Sequence, residues 1–332
     1  MKRIAILFSL LILFNACRED LNESTTPRNI FESLWTILDE KYCFFDVKNV
    51  DWDKIHDQYA PRVDSVRSSD SLFTILGEMI CELRDGHVNL YSSQDIARYW
   101  KWFEDYPANY DENLIRIYLG SDYKISSGLQ YKLLNDKVGY ITYQDFSSSI
   151  SDAGLDYIFD YFKDSPGIII DVRNNSGGDL SNVYQFASRF TEKKIICNYI
   201  KHKTGPGHND FSKPFAIYLE PSSHTRYTKT VVILTNRMCF SATNAFVSVM
   251  RQLPHVTIIG DRTGGGGGFP FSSMLTNGWG VRFSSCPTYD ANMVLMEEGI
   301  DPDISVSLSQ TSAQSGIDDI IEAARSYIKN NQ

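Results

Sequence analysis

Membrane-spanning length is the first thing missing from this 332-residue sequence. The apolar run Ile4 to Phe14, broken only by Ser9, would rise about 16 Å as a helix, against a hydrocarbon core of about 30 Å. No later segment is long and apolar enough to cross a bilayer. Positive charge is also short. Lys and Arg number 32 against 41 Asp and Glu, for a net charge of −9. Such an acidic chain is a poor partner for nucleic acid, because phosphate contacts need clustered cations. No CxxC pair and no HExxH occurs among its residues, so a zinc site has no support and no metal or other cofactor is expected. Beyond Cys17, the remaining Cys43, Cys81, Cys197, Cys239 and Cys286 are odd in number and unpaired in spacing, which argues against a disulfide framework. What is present is ordinary globular composition, 42% hydrophobic and 22% charged, enough for a real core and too apolar for wholesale disorder.

The amino terminus reads as an address. Met1-Lys2-Arg3 followed by the short apolar run has the form of a secretory signal. It ends in Leu13-Phe14-Asn15-Ala16-Cys17, which resembles the lipobox of bacterial lipoproteins, with Phe14 where leucine is usual. The resemblance implies that residues 1–16 are removed, that Cys17 is lipidated, and that the protein is held to a membrane of the bacterial cell envelope. Residues 17–26 are polar and read as a tether.

Hydrophobic periodicity divides the rest. From Pro27 to Leu83 it is helical: Ile30, Leu34 and Leu38 repeat every four residues, and Leu72, Ile75, Leu76, Met79, Ile80 and Leu83 follow the spacing of one helix face, with caps available at Ser69 to Ser71. A small helical domain over 27–95 is expected, then an aromatic linker or cover segment over 96–136. From 137 to 330 short β-branched runs alternate with helical patterns. Strands are expected at Val138–Tyr143, Gly167–Val172, Thr230–Leu234 and Val256–Gly260. Helices are expected at Asp152–Lys163, Leu180–Phe190, Ala242–Leu253 and Asp318–Ile328. Continuous apolar strands between helices mean an α/β layer with a buried sheet. The Gly264–Gly268 run should be mobile.

Chemistry concentrates in a few segments. Leu234 to Asn244 runs from strand through turn to helix and sets Ser241 at the junction, where helix amides are free and the dipole is positive. A serine there is an N-cap or a nucleophile. Asp171-Val172-Arg173-Asn174-Asn175-Ser176-Gly177-Gly178 supplies a second amide-rich turn. If the two turns face each other, Ser241 gains the anion-stabilising amides that acyl transfer requires. No GxxxxGK[ST] accompanies the glycines, so a phosphate loop is not supported. In Leu83-Arg84-Asp85-Gly86-His87-Val88, His87 is either a helix C-cap or a general base suited to neutral pH.

Taken in order with Gly139-Tyr140-Ile141 and Glu297-Glu298-Gly299-Ile300-Asp301-Pro302-Asp303, these segments resemble the C-terminal processing (tail-specific) and tricorn-core protease group, family forty-one of the serine peptidases. The resemblance implies a crotonase-like β/α core beside a helical N-terminal region. It implies Ser241 as nucleophile and an oxyanion hole from the amides of Gly177 or Gly178 and of Ala242. The tail-specific branch uses a lysine 25 residues after the serine; that position is Gly266, so a Ser–Lys dyad is excluded. The tricorn-like branch implies His87 as base, oriented through a preceding serine, here Gly86, by a glutamate matching Glu297 or Glu298. Only 51 residues separate His87 from Gly139, too few for a PDZ domain of roughly 80–100 residues. The implied activity is endopeptidase cleavage of extended or unfolded polypeptide, rising with pH through the histidine range of roughly 5 to 8. Two competing readings remain. One is a catalytically inactive ligand-binding lipoprotein, suggested by Gly266, Gly86 and Asn244 (where glutamate is frequent). The weaker one is an acyl-CoA-type enzyme.

Overall fold

The computed structural model describes residues 25–331, so Cys17, the leader and most of the tether lie outside the described residues. One sheet has seven strands. Across its width they run Ile304–Ser305, Val256–Gly260, Thr230–Thr235, Gly167–Asp171, Gly139–Thr142, Leu129–Leu133 and Lys124–Ser126. The first five are parallel and the last two pair antiparallel. Both faces are covered, which explains the uninterrupted apolar strands. Ile168 and Ile170 point to one core, with Phe159, Phe186 and Phe246 from the helices Asp152–Tyr161, Leu180–Ala187 and Ala242–Met250. Ile169 points to the other, against Ile320, Ile321, Ala324 and Ile328 of the helix Asp319–Asn330.

The four expected strands form within a residue of their bounds. Three of the expected helices end two or three residues early, because Phe162, Phe190 and Leu253 stay buried after the helix stops and carry the apolar pattern onward. The helix Ser69–Cys81 is capped by Ser68, whose hydroxyl accepts from the Ser71 amide at 3.2 Å, one residue ahead of the expected caps.

The second sheet is antiparallel: Ile96–Arg98, Asn89–Tyr91, Gly280–Tyr289, Ile195–Ile200 and Phe215–Leu219, with Gly268–Met274 on the other side of Gly280–Tyr289. The N-terminal helices Pro27–Lys41, Trp52–Asp64 and Ser69–Cys81 bury Phe31, Leu34, Leu38, Leu76 and Ile80 in one cluster with Leu90, Trp279, Val281 and Phe283 of this sheet. Residues 96–136 contribute the edge strand, the helix Glu112–Leu119 and two strands of the seven-stranded sheet.

Candidate active site

Ser241 ends a turn pinned on both sides. The Phe240 amide donates to the Asn175 carbonyl at 3.3 Å, and the Ser241 amide donates to the Gly265 carbonyl at 2.9 Å. Between these anchors Ser241 adopts φ 57° and ψ −120°, a conformation that L-residues avoid and that persists where surrounding structure enforces it. Its side chain makes no capping bond to the helix Ala242–Met250. Instead Oγ lies 2.9 Å from His87 Nε2, across 154 positions of sequence. The N-cap reading of Ser241 is therefore replaced by a hydroxyl–imidazole pair.

The glycine turn faces this pair. Asn175 is its keystone: Oδ1 accepts the Gly177 amide at 3.0 Å and the Thr243 hydroxyl at 2.6 Å, while Nδ2 donates to the Tyr143 carbonyl at 3.0 Å. The motif's Asp171 and Arg173 pair with each other and with Asp318 in full burial and hold the turn from beneath. Gly177 has its amide occupied, and a Cβ there would come within 2.9 Å of the Ala242 nitrogen. Gly178 and Ala242 have amides that no described residue accepts, and both line the same cavity as Ser241, of about 610 Å³. Of the two glycines expected in the oxyanion hole, Gly178 is the one with a free donor.

His87 is almost fully buried at 3% exposure, its ring packed on Phe240 with centroids 4.7 Å apart. Phe240 in turn stacks on Trp102 of the aromatic segment at 4.2 Å. Burial holds the His87 pKa down to about 4, despite the neighbouring Asp85 charge. This moves the expected acid limb out of the range of roughly 5 to 8, because desolvation disfavours the imidazolium.

Neither glutamate contacts His87 by hydrogen bond. The Glu297 carboxylate is buried against Lys48 Nζ at 2.7 Å and the Gly267 amide at 2.9 Å, and Glu298 is exposed. His87 Nδ1 is buried with no partner among the described residues. The carboxylate tied to the histidine is Asp85, two positions before it. Asp85 Oδ1 accepts the His87 backbone amide at 2.7 Å, and Oδ2 accepts the hydroxyls of Tyr42 at 3.1 Å and Ser284 at 2.8 Å. An aspartate accepting from an amide two residues onward is a local turn pattern, and that was the available sequence signal. Burial, reinforced by the Asp85 charge, pushes the Glu297 carboxyl up to about 8.

The glycine run is not a free loop. Gly264, Gly266 and Gly267 donate to Cys239, Glu297 and the Glu297 side chain, and all five glycines are buried. The backbone is wedged between the Ser241 turn and residues 296–299. A side chain at Gly266 would enter the Phe240 ring, so this packing has no room for a lysine. Asn244 lines the same cavity as Ser241, with its amide held by the Met296 carbonyl and the Thr263 hydroxyl. Among the described residues no cluster of His, Cys, Asp and Glu could hold a metal ion.

A model of peptidase family S41 matches residues 137–306, half of the chain, and a model of the tricorn protease C1 domain matches residues 24–81. A solved structure of a Parabacteroides merdae protein, described as a candidate peptidase, is 51% identical, with a TM-score of 0.88 over 92% of this chain and 97% of that one. Mature CPAF complexed with lactacystin is 12% identical and shares the fold, with a TM-score of 0.70 over 92% of this chain and 99% of its own. A Chlamydia muridarum protein is 28% identical over 83 residues, a stretch that spans 14% of its length.

Proposed function

The chain belongs to peptidase family S41, and from that membership we propose that it is a serine endopeptidase with Ser241 as nucleophile and His87 as general base. The observation that carries this reading is the 2.9 Å contact between Ser241 Oγ and His87 Nε2 beside two unpaired amides. The buried imidazole is neutral at ordinary pH and so ready to accept a proton. Ser241 Oγ attacks the peptide carbonyl carbon as Nε2 takes its proton. The oxyanion accepts from the Gly178 and Ala242 amides. Nε2 then returns the proton to the departing amine, and water repeats the sequence on the acyl-enzyme.

Ring packing by Phe240, which Trp102 backs by stacking on it, orients His87 in this mechanism, with Asp85 as the supporting carboxylate. Substrates are extended or unfolded polypeptide, whose backbone can pair with a sheet edge. The lipobox-like Leu13 to Cys17 adds the proposal that the enzyme is anchored in the cell envelope through Cys17.

Ser241→Ala and His87→Ala are each expected to lower cleavage of an unfolded protein by at least about a thousandfold. A serine-directed fluorophosphonate should label the parent at Ser241 and not Ser241→Ala. Parent-like cleavage by both variants ends the proposal. A parent that neither cleaves nor labels returns the chain to the inactive-scaffold reading.

A further inference from the structure

A cavity of about 380 Å³ lies apart from the catalytic pair, and among the described residues neither Ser241 nor His87 lines it. Gly86, Trp102 and Phe240 line both this cavity and the one that contains His87, and so stand between the two. Its lining is cationic in a chain of net charge −9: Lys48, Arg84, Lys101, Arg237 and Arg262 face Asp105, Glu297 and Glu298. Lys48 and Glu297 are taken up with each other at 2.7 Å. That leaves four cations against two solvent-exposed carboxylates.

The three guanidiniums are oriented by backbone carbonyls. Arg84 donates to the Lys48 carbonyl. Arg237 donates from Nε to the Trp102 carbonyl at 2.7 Å and from Nη1 to the Thr263 carbonyl at 3.2 Å, with its guanidinium 4.0 Å from the Tyr106 ring centroid. Arg262 donates from Nε to the Glu298 carbonyl at 3.1 Å and has the exposed Asp301 at 3.6 Å. A carbonyl fixes the plane of a guanidinium without cancelling its charge, and each fork keeps N–H donors to spare. Exposed Lys101 has no bonded partner among the described residues. Burial, with the Arg262 charge adding to it, holds the Arg237 pKa below its ordinary value, so an anion between the two relieves a cost that the fold already carries.

We propose that this cavity binds a phosphate group, either as the free ion or as the monoester of a small molecule. A phosphate monoester carries about −1.5 to −2 charges at pH 7 and presents three acceptor oxygens. That suits the surplus of cations and donors that arrive from four separate segments, whereas a carboxylate brings one charge and two oxygens. The site is built onto the support of His87. Trp102 occupies a slot between two glycines: a Cβ at Gly86 would come within 2.7 Å of the indole, and one at Gly264 within 2.5 Å. Arg237 holds the Trp102 carbonyl and Lys101 precedes Trp102 in the chain, so an anion bridging the two presses Trp102 on Phe240 and Phe240 on His87. This coupling rests on the peptidase reading above, in which a steadied imidazole takes the Ser241 proton faster.

Isothermal titration of the full chain with inorganic phosphate at low ionic strength should give a Kd at or below about 1 mM, with acetate at least about tenfold weaker. Glycerol phosphate in place of the free ion names the source: tighter binding assigns a monoester, weaker binding the free ion. Lys101→Gln and Arg262→Gln should each weaken phosphate at least about fivefold, Arg262→Lys should restore part of the loss, and Arg67→Gln, outside the cavity, should leave it unchanged. Phosphate held no more tightly than acetate, or held equally by the Lys101→Gln and Arg262→Gln double variant, overturns the site. Saturating phosphate should also raise the rate of fluorophosphonate labelling at Ser241 at least about threefold in the parent and not in the double variant. Labelling that ignores phosphate overturns the coupling to His87. Phosphate binding by a parent that neither labels nor cleaves sustains the site and overturns the peptidase reading.

Discussion

The two partners of the Ser241–His87 contact are held by opposite kinds of structure. Ser241 is fixed by its neighbourhood: a strand, a turn and a helix contiguous in sequence, abutting the next strand's turn at Asn175. His87 follows a helix and is fixed from afar. Tyr42 and Ser284 reach it through Asp85, and Phe240, itself stacked on Trp102, packs on its ring. The nucleophile half therefore depends on backbone conformation, and the histidine half on side chains contributed by remote segments. Substitutions should divide accordingly.

Outside the Ser241–His87 pair itself, the largest effect is expected at Gly178. Its φ is +145°, and a Cβ would run into the backbone of Phe146 and Ser147, which cannot yield as a flexible side chain would. That backbone is bonded to the glycine turn, Phe146 donating to the Gly177 carbonyl at 2.8 Å and accepting from the Asp179 amide at 3.1 Å. Gly178→Ala should move the turn, swing the amide from the oxyanion position and lower kcat by about 10²–10³, with KM little changed. Urea unfolding should show about 1–3 kcal/mol of lost stability. Activity within threefold of the parent would mean that the oxyanion is held elsewhere.

The same division explains what the sequence makes legible. The parallel sheet, the Ser241 turn and the glycine turn are local patterns, so apolar runs and turn residues reveal them. The antiparallel sheet is harder to read, because Gly268–Met274 holds Pro270 and exposes Phe269, Phe271 and Met274 on an edge. Its one strong signal is Asn277-Gly278, a hairpin turn with Gly278 at φ 85°. His87 stands out through motif resemblance, but its support does not. Glu297 and Glu298 lie in the right segment, yet Glu297 is drawn to Lys48, a pairing across 249 positions that no local pattern encodes. The glycine run looks flexible in sequence and is immobilised in the fold, because its lack of side chains lets two backbones close on it.

On the histidine half, Asp85→Asn is the informative change. An asparagine keeps one acceptor for the His87 amide but presents an amide group to the hydroxyls of Tyr42 and Ser284, which must find other acceptors. We expect about a tenfold loss in kcat/KM and about 1–3 kcal/mol of stability, smaller in activity than at Gly178 because the catalytic pair itself remains. Fluorophosphonate labelling should slow but persist. Undiminished activity together with undiminished stability would remove Asp85 from the supporting role.

The gentlest probe is pH. His87 acts as base in its neutral form, and burial holds its pKa at about 4. kcat/KM should therefore be flat between roughly pH 5 and 8 and fall only as pH drops through about 4. The Asp85 charge raises this pKa, so Asp85→Asn should carry the acid limb to still lower pH. Stability gives the matching signs. The unfolded chain protonates His87 near 6.5 and the folded chain only near 4, so this group's contribution is present above 6.5 and lost as pH falls through that window. Glu297 slopes the other way: its folded pKa of about 8 lies above its ordinary 4.5, so its contribution is present below 4.5 and lost as pH rises through 8. His87→Gln should flatten the first slope and leave the second, as read by urea unfolding at a series of pH values. A parent rate profile that instead rises through pH 6.5 would mean that the imidazole is hydrated in the working enzyme, and that the Phe240–Trp102 cover opens before catalysis.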